Sequence, residues 1–271
     1  MSNLRLNNKV TIVTGAAQGF GEGIARELAQ NGARLVIADL NLAMAQKVAD
    51  SIEGAVAVKV DVTDEESIKN LVAETVRIFG GIDLLVSNAG VLRAGGLDEM
   101  TLADFEFVTK VNYTAFFLLT KHVSRVMKER AASDPTYTAD IVQINSKSGL
   151  EGSDKNFAYA GGKFGGIGLV QSFAKELCPH RVKVNAICPG NYYEGPLWSD
   201  PERGLFVQYL RAGKVPGAKT IDDVRNFYTS KVPMKRGCSP LDVTRAIMYC
   251  VEQQYETGQA IPVTGGQVML S

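Results

Sequence analysis

Tyr159 is followed by Lys163 four residues on, in YAGGK, and it is alone among nine tyrosines in having a lysine at that spacing. Such a pair arises often by chance, so its weight comes from its surroundings. Residues i and i+4 share one face of a helix, and Tyr159 stands near the start of a helical stretch. Ser146 lies thirteen residues earlier, at the end of the apolar run IVQINS. Asn112 falls in the helical region that follows an earlier apolar run. Moving a hydride between an alcohol carbon and an acceptor requires a proton to leave or reach the oxygen. A free tyrosine titrates near ~10, too high for a good base at neutral pH. A lysine ammonium at about 4 Å, at an effective dielectric near 20, is worth roughly 4 kcal/mol, or about three pKa units. A serine hydroxyl can hold the reacting oxygen. The set Asn112, Ser146, Tyr159 and Lys163 therefore reads as acid–base machinery for a secondary alcohol.

A second constellation reads as the acceptor's seat. TGAAQGFGEG (Thr14–Gly23) joins an apolar run to a helical stretch, with glycines at Gly15, Gly19 and Gly21. Glycine lets the backbone turn sharply and approach a pyrophosphate, which then faces the N-terminus of the helix. The strand before and the helix after give this spacing its meaning. Gln18 and Phe20 complete the turn. Asp39 ends the next apolar run, where an acid accepts from adenosine ribose hydroxyls and repels a 2′-phosphate. Ala16, Ala17 and Gln18 offer no cation for that phosphate, so NAD is expected over NADP. Leu40 beside Asp39, and Asp61 with Val62 after the third run, are expected at the adenosine end.

These residues need a frame, and the chain supplies one. Strands are expected at Lys9–Thr14, Arg34–Asp39, Ala55–Asp61, Ile82–Gly90, Ile141–Ser146 and Arg181–Cys188, with a last one in QAIPVTGG. Helices are expected at Phe20–Asn31, Leu42–Ile52, from a cap at Thr63 or Asp64 to about Phe79, at Leu102–Arg130, Phe157–Leu177 and Leu241–Glu252. Near-continuous apolar strands alternating with helices indicate an α/β fold: one doubly wound, Rossmann-type parallel sheet of about seven strands with helices on both faces. No linker or composition shift divides residues 1–271, so a single domain is expected, with a substrate-binding flap at 189–237. Lys+Arg and Asp+Glu both number 29, which argues against nucleic-acid or anionic-membrane binding. The four cysteines form no CxxC pair and have two histidines to help them, so no metal site is expected. The start MSNLRLNNKV has no apolar core and no run approaches a membrane span; the expectation is a cytoplasmic protein with reduced thiols.

TGAAQGFG, NAG (Asn88–Gly90), Asn112, Ser146, YAGGK and PG (Pro189–Gly190) together resemble the short-chain dehydrogenase/reductase superfamily over essentially the whole chain. The resemblance implies that Tyr159 is the general acid/base and that Lys163 binds the nicotinamide ribose and lowers the tyrosine's pKa. It implies that Ser146 orients the carbonyl and that Asn112 links the lysine to a water-mediated proton relay. Asn88, Ala89 and Gly90 would line the adenine ribose side, and Pro189 and Gly190 would turn over the cofactor. It further implies a homo-oligomer, commonly a tetramer, with the last strand and GGQVML at a subunit contact. Two positions depart from the pattern. The usual serine pair is Asn145-Ser146, and the threonine usual four residues beyond Gly190 is Glu194.

The stretch PGNYYEGPLWSD (Pro189–Asp200) and the segment through VPMKRG are similar to the sorbitol-6-phosphate 2-dehydrogenases, polyol-phosphate members of that superfamily. The reaction this resemblance implies is oxidation of a polyol phosphate, D-sorbitol 6-phosphate, with NAD to D-fructose 6-phosphate. Asn191, Tyr192, Tyr193 and Glu194 would hydrogen-bond hydroxyls, and either Lys147 or Lys155 would pair with the phosphate. Lys235 and Arg236 read first as loop anchors, and Trp198 as a packing anchor. Two rivals stay open: a dehydrogenase for another polyol, sugar or 3-oxoacyl substrate, and a non-catalytic NAD-binding sensor.

Overall fold

The computed structural model describes residues 5–211 and 213–269. Residues 1–4 of the N-terminal segment and Leu270 of the GGQVML tail lie outside the described residues. Seven strands form one parallel sheet: β1 (Val10–Thr14), β2 (Arg34–Asp39), β3 (Val56–Lys59), β4 (Leu84–Ser87), β5 (Ala139–Ile144), β6 (Val182–Pro189) and β7 (Ala260–Val263), in the order β3-β2-β1-β4-β5-β6-β7. Every residue of β1, β4, β5 and β6 is buried. That is why these strands read as unbroken apolar runs: both of their faces are covered.

Ten helices accompany the strands among the described residues: α1 (Gly19–Gln30), α2 (Leu42–Asp50), α3 (Glu65–Phe79), α4 (Leu102–Thr109), α5 (Ala115–Ser133), α6 (Phe157–Leu177), α7 (Pro196–Ser199), α8 (Leu205–Arg211), α9 (Ile221–Ser230) and α10 (Pro240–Glu252). Successive strand residues point to opposite faces, and the core divides accordingly. Val13, Ile37 and Val86 pack with Ile24, Leu28, Val48 and Ile247 of α1, α2 and α10. Ile12, Val36, Leu85 and Val184 pack with Leu71, Phe116, Leu119 and Val170 of α3, α5 and α6.

Local chemistry sets the boundaries. Asp64, not Thr63, caps α3 by accepting from the Glu66 N–H, and Gly80 closes it at φ +82°. Ser239 and Asp242 form a reciprocal capping box on α10. The expected helix over 102–130 is interrupted: Lys110–Thr114 form a π turn between α4 and α5. Its i→i+5 bonding inserts one residue and shifts the phase of the helix beyond it. Among the described residues no helix is long and apolar enough to cross a membrane.

From β1 the chain builds outward to β2 and β3 on one side and to β4 through β7 on the other. The carboxyl ends of β1 and β4 therefore bound the crevice where such sheets bind ligands. Beyond β6, helices α7, α8 and α9 form a flap with its own small core of Tyr193, Trp198, Phe206, Tyr209 and Val224. Trp198 stands edge-on to Tyr193 at 5.1 Å and to Tyr209 at 5.8 Å, the arrangement favoured by aromatic quadrupoles.

Candidate active site

A cleft of about 900 Å³ runs along the carboxyl ends of β1, β2, β4, β5 and β6. At its floor, Gly15 and Gly19 adopt φ +64° and +62°, the left-handed region that glycine enters without strain. A Cβ on Gly21 would stand 2.1 Å from the Gly15 carbonyl oxygen, so the turn closes only with glycine there. Gln18 caps α1 without a side-chain hydrogen bond. The first N–H groups of α1 thus have no side-chain cap, at an edge lined by Gly15, Gln18, Gly19, Phe20 and Gly21. Uncapped donors and a positive helix end fit a pyrophosphate.

Asn88 fixes that turn from the next strand. Its amide donates to the Thr14 and Gly15 carbonyls at 2.9 and 3.1 Å. The Thr14 hydroxyl accepts from the Asn88 and Ala89 N–H groups at 3.0 and 3.1 Å. Asn88, Ala89 and Gly90 all line the cleft. Asp39 lines it too, with exposed Leu40 alongside. One Asp39 oxygen accepts from the Ala17 N–H at 3.0 Å and the other from the Asn41 N–H at 2.9 Å. The same carboxylate thereby steadies the glycine-rich turn and presents a negative charge to the cleft. Asp61, Val62 and Thr63 form the neighbouring wall. The Thr63 hydroxyl and N–H both donate to Asp61 and hold its carboxyl below the usual range, with Lys110 adding to the effect. An acid-lined pocket next to a glycine cradle fits an adenine dinucleotide.

Ser146, Tyr159 and Lys163 meet at the other end of the same cleft. Ser146 follows β5 and starts a short 3-10 turn, its hydroxyl accepting from the Ser148 N–H at 3.1 Å. Lys163 is buried and donates to the Ile144 carbonyl at 2.8 Å. Its ammonium lies 5.5 Å from the Tyr159 ring centre. The expected depression of the tyrosine's pKa is not what this geometry produces. Burial pushes the Tyr159 phenol up, and the Ser146 hydroxyl facing it pulls part of the way back. Lys163 itself is pushed down by burial to about 8. Desolvation outweighs attraction because the ammonium is held by a backbone carbonyl and not by the phenol.

Asn112 does not line the cleft. The π turn aims it at the Gly90–Val91 backbone, where its oxygen accepts from the Val91 N–H at 3.0 Å and its amide donates to the Val91 carbonyl at 2.7 Å. Both ends of the side chain are engaged, and they brace the loop after β4. Asn145, the departure from the usual serine pair, has a structural use. Its amide donates to the Gln143 side chain at 2.8 Å and to the Lys163 carbonyl at 2.9 Å, and its oxygen accepts from the Ser146 N–H at 2.8 Å. It therefore ties the end of β5 to α6 and sets Ser146 against Tyr159.

On the substrate side the expectations divide. Pro189, Gly190, Asn191 and Tyr192 line the cleft, and Tyr192 lies on Phe20 at 4.9 Å. Lys147, Lys155 and Glu194 do not line it. Lys147 reaches Glu151 at 3.5 Å, one helical turn on. Lys155 sits at φ +57° and serves through its carbonyl, which accepts from the Gly95 N–H at 2.8 Å. Glu194 pairs with Arg225 of α9 at 2.8 Å, joining two parts of the flap. Tyr193 is turned into the flap core, and its hydroxyl donates to the Tyr228 carbonyl at 3.0 Å. Sequence reasoning passed over Thr14, Gln143, Arg93 and Arg203. Only Arg203 had a signal, as the first cation of the breaker-rich stretch after β6.

The profile of the short chain dehydrogenases matches residues 9–198. The sorbitol-6-phosphate 2-dehydrogenase of Escherichia coli K12 is 36% identical over 97% of this chain and 99% of its own length. The 3-oxoacyl-[acyl-carrier-protein] reductase of Thermotoga maritima is 33% identical over 98% of this chain and 100% of its own. Among solved structures, the sorbitol-6-phosphate 2-dehydrogenase of Erwinia amylovora superposes with a TM-score of 0.88 at 37% identity, covering 96% of this chain and 100% of that one.

Proposed function

The chain belongs to the short-chain dehydrogenase family of oxidoreductases, and from that premise we propose that it oxidises a polyol phosphate with NAD, D-sorbitol 6-phosphate to D-fructose 6-phosphate. The observation that carries this reading is the continuity of one cleft. It runs from the Asp39 carboxylate past the glycine cradle to Ser146, Tyr159 and Lys163, and on under a flap offering Asn191 and Tyr192. The likeness to sorbitol-6-phosphate 2-dehydrogenases over nearly the whole chain supports the substrate. Asp39 supports NAD over NADP, since a 2′-phosphate would face its charge.

On this reading the Gly15–Gly21 turn and the start of α1 hold the pyrophosphate, Asp39 the adenosine ribose, and Lys163 the nicotinamide ribose. The nicotinamide supplies the hydride acceptor. The Ser146 hydroxyl hydrogen-bonds the substrate oxygen beside Tyr159. The Tyr159 phenolate takes the proton from the substrate hydroxyl as the carbon loses its hydride, leaving a ketone. Burial disfavours that phenolate, so the Ser146 hydroxyl facing it, and a Lys163 still largely cationic at neutral pH with its value near 8, offset only part of the cost. We also read the chain as a homo-oligomer, supported by Phe105, Phe117 and Phe164, which are exposed on α4, α5 and α6.

The test compares initial rates of NAD reduction with sorbitol 6-phosphate and with free sorbitol. A kcat/KM higher by at least about tenfold for the phosphate ester is expected, as a charge-assisted contact provides. Equal values would remove the phosphate from the proposal, and NADH binding without turnover of any polyol phosphate would favour a sensor.

A further inference from the structure

We propose that Arg93 and Arg203 are the cations that recognise the substrate's phosphate, a role that rests on the polyol-phosphate reading above. The cations near the substrate end sort into two groups. Lys147 is paired with Glu151, Arg225 with Glu194, Arg236 with Asp242 at 2.9 Å, and Lys235 donates to the Ser230 carbonyl at 2.7 Å. None of these four lines the cleft. The cationic side chains that do line it, among the described residues, are Lys163, Arg93 and Arg203. Lys163 is buried beside Tyr159, so the two arginines are what the cleft offers a phosphate.

Their placement suits the task. β5, which delivers Ser146, has β4 on one side and β6 on the other. Arg93 stands on the loop after β4 and Arg203 on the flap after β6, so the pair brackets the strand end where the reacting oxygen would be held. Arg203 is presented by a rigid turn. Its N–H donates to the Asp200 side chain at 2.7 Å, and the Gly204 N–H donates to the Asp200 carbonyl at 2.9 Å. A Cβ on Gly204 would lie 2.4 Å from the Trp198 carbonyl oxygen, so the turn has no slack. Asp200 also lines the cleft; one of its carboxylate oxygens accepts from both the Arg203 and Glu202 N–H groups, which with the nearby Arg203 charge hold its carboxyl below the usual range. Among the described residues no acid lies within salt-bridge distance of the Arg203 guanidinium. Arg93 is held loosely, 3.7 Å from Asp104 and over the Phe107 ring at 5.4 Å. The Gly95–Lys155 hydrogen bond anchors its loop to the start of α6. Two guanidinium forks lining one cleft can each pair with oxygens of a phosphate dianion. The opposite end of the cleft carries Asp39 and Asp61, so charge along it selects which way an anionic substrate enters.

The experiment measures kcat/KM for sorbitol 6-phosphate and for sorbitol, with the Kd for NADH, in the wild type and in R93A, R203A and R203K. Each alanine variant is expected to lower the phosphate-to-free ratio on the order of 10- to 100-fold, mostly through KM, with R203K intermediate because it keeps charge without the fork. A ratio that holds in both alanine variants while the wild type discriminates overturns this inference alone. So does an NADH Kd that rises in step with the loss, which would place the arginines at the coenzyme's pyrophosphate. A wild type with no preference for the ester removes the polyol-phosphate reading itself, and this inference with it.

Discussion

Asp39 performs two tasks that a pair of substitutions can separate. On the proposed reading its charge faces the position of an NADP 2′-phosphate; its oxygens accept from the Ala17 and Asn41 N–H groups. Two unit charges about 4 Å apart, at an effective dielectric near 20, repel by about 4 kcal/mol. Asp39 is half-exposed, and screening at such a site brings the repulsion to about 2–4 kcal/mol, or roughly 30- to 700-fold in the NAD-to-NADP preference. Asp39→Asn removes the charge and keeps an oxygen for the Ala17 N–H. Asp39→Ala removes both, leaving the N–H of a buried residue without its acceptor at a cost of about 1–3 kcal/mol. Both variants should lose the coenzyme preference by the same factor, and only the alanine variant should lose several degrees of Tm. The assay is kcat/KM for each coenzyme at saturating substrate, beside thermal unfolding. An unchanged preference in Asp39→Asn would show that the carboxylate is only a brace for the turn.

Tyr159→Phe should lower kcat by about 10²–10⁴-fold while the Kd for NADH, read by its fluorescence, moves little; substantial turnover would assign the proton transfer to another group. Lys163 gives a stability signature. Its folded value, near 8, lies below the ordinary lysine value. Both folded and unfolded chains bind its proton below about pH 8, so the cost of burying the charge is then fully present, on the order of 3 kcal/mol, and it fades as pH rises toward the unfolded value. Urea unfolding at pH 7 and pH 10 should therefore show Lys163→Met gaining stability over the wild type at the lower pH and losing that advantage at the higher; a difference that ignores pH refutes the burial argument. Gly21→Ala drives a Cβ into the Gly15 carbonyl at 2.1 Å, and NADH titration should show coenzyme affinity falling by at least tenfold, with a lower Tm. Wild-type affinity would mean that the turn rearranges freely.

What could be read from the chain followed from how local the cause was. The strands were legible because burial on both faces leaves an unbroken apolar run, and the coenzyme end was legible because a turn needing left-handed glycines advertises them. Asp39 stood out because it closes a strand. The failures share a different cause. Lys147 and Lys155 are adjacent in sequence to the reactive residues but not in space: a 3-10 turn sends one toward Glu151, and a left-handed backbone makes the other a loop anchor. Glu194 finds its partner 31 residues away, a distance no motif spans. The tyrosine–lysine arithmetic treated two charges in a uniform medium. The fold instead buries the lysine against a carbonyl, and desolvation then decides the direction of both shifts.

The stretch Asn191–Glu194 explains why the substrate side is the least legible and how it meets the coenzyme side. The chain turns at Tyr193 and Glu194, and Tyr192 and Tyr193 part company. Tyr192 lies on Phe20 of the glycine-rich turn, and Tyr193 enters the flap core against Trp198. Glu194 then binds the flap to α9. One link further on, a Cβ on Gly19 would come within 3.7 Å of Pro196 at the start of α7. The flap thus has its own core but rests on the turn that would hold the pyrophosphate. Tyr192 and Pro196 connect that turn to the wall that carries Asn191 and Arg203. A sequence can announce the cradle and the acid–base pair separately. The contact of one wall with the other exists only in the packed structure, because it runs through an aromatic pair more than a hundred and fifty positions apart.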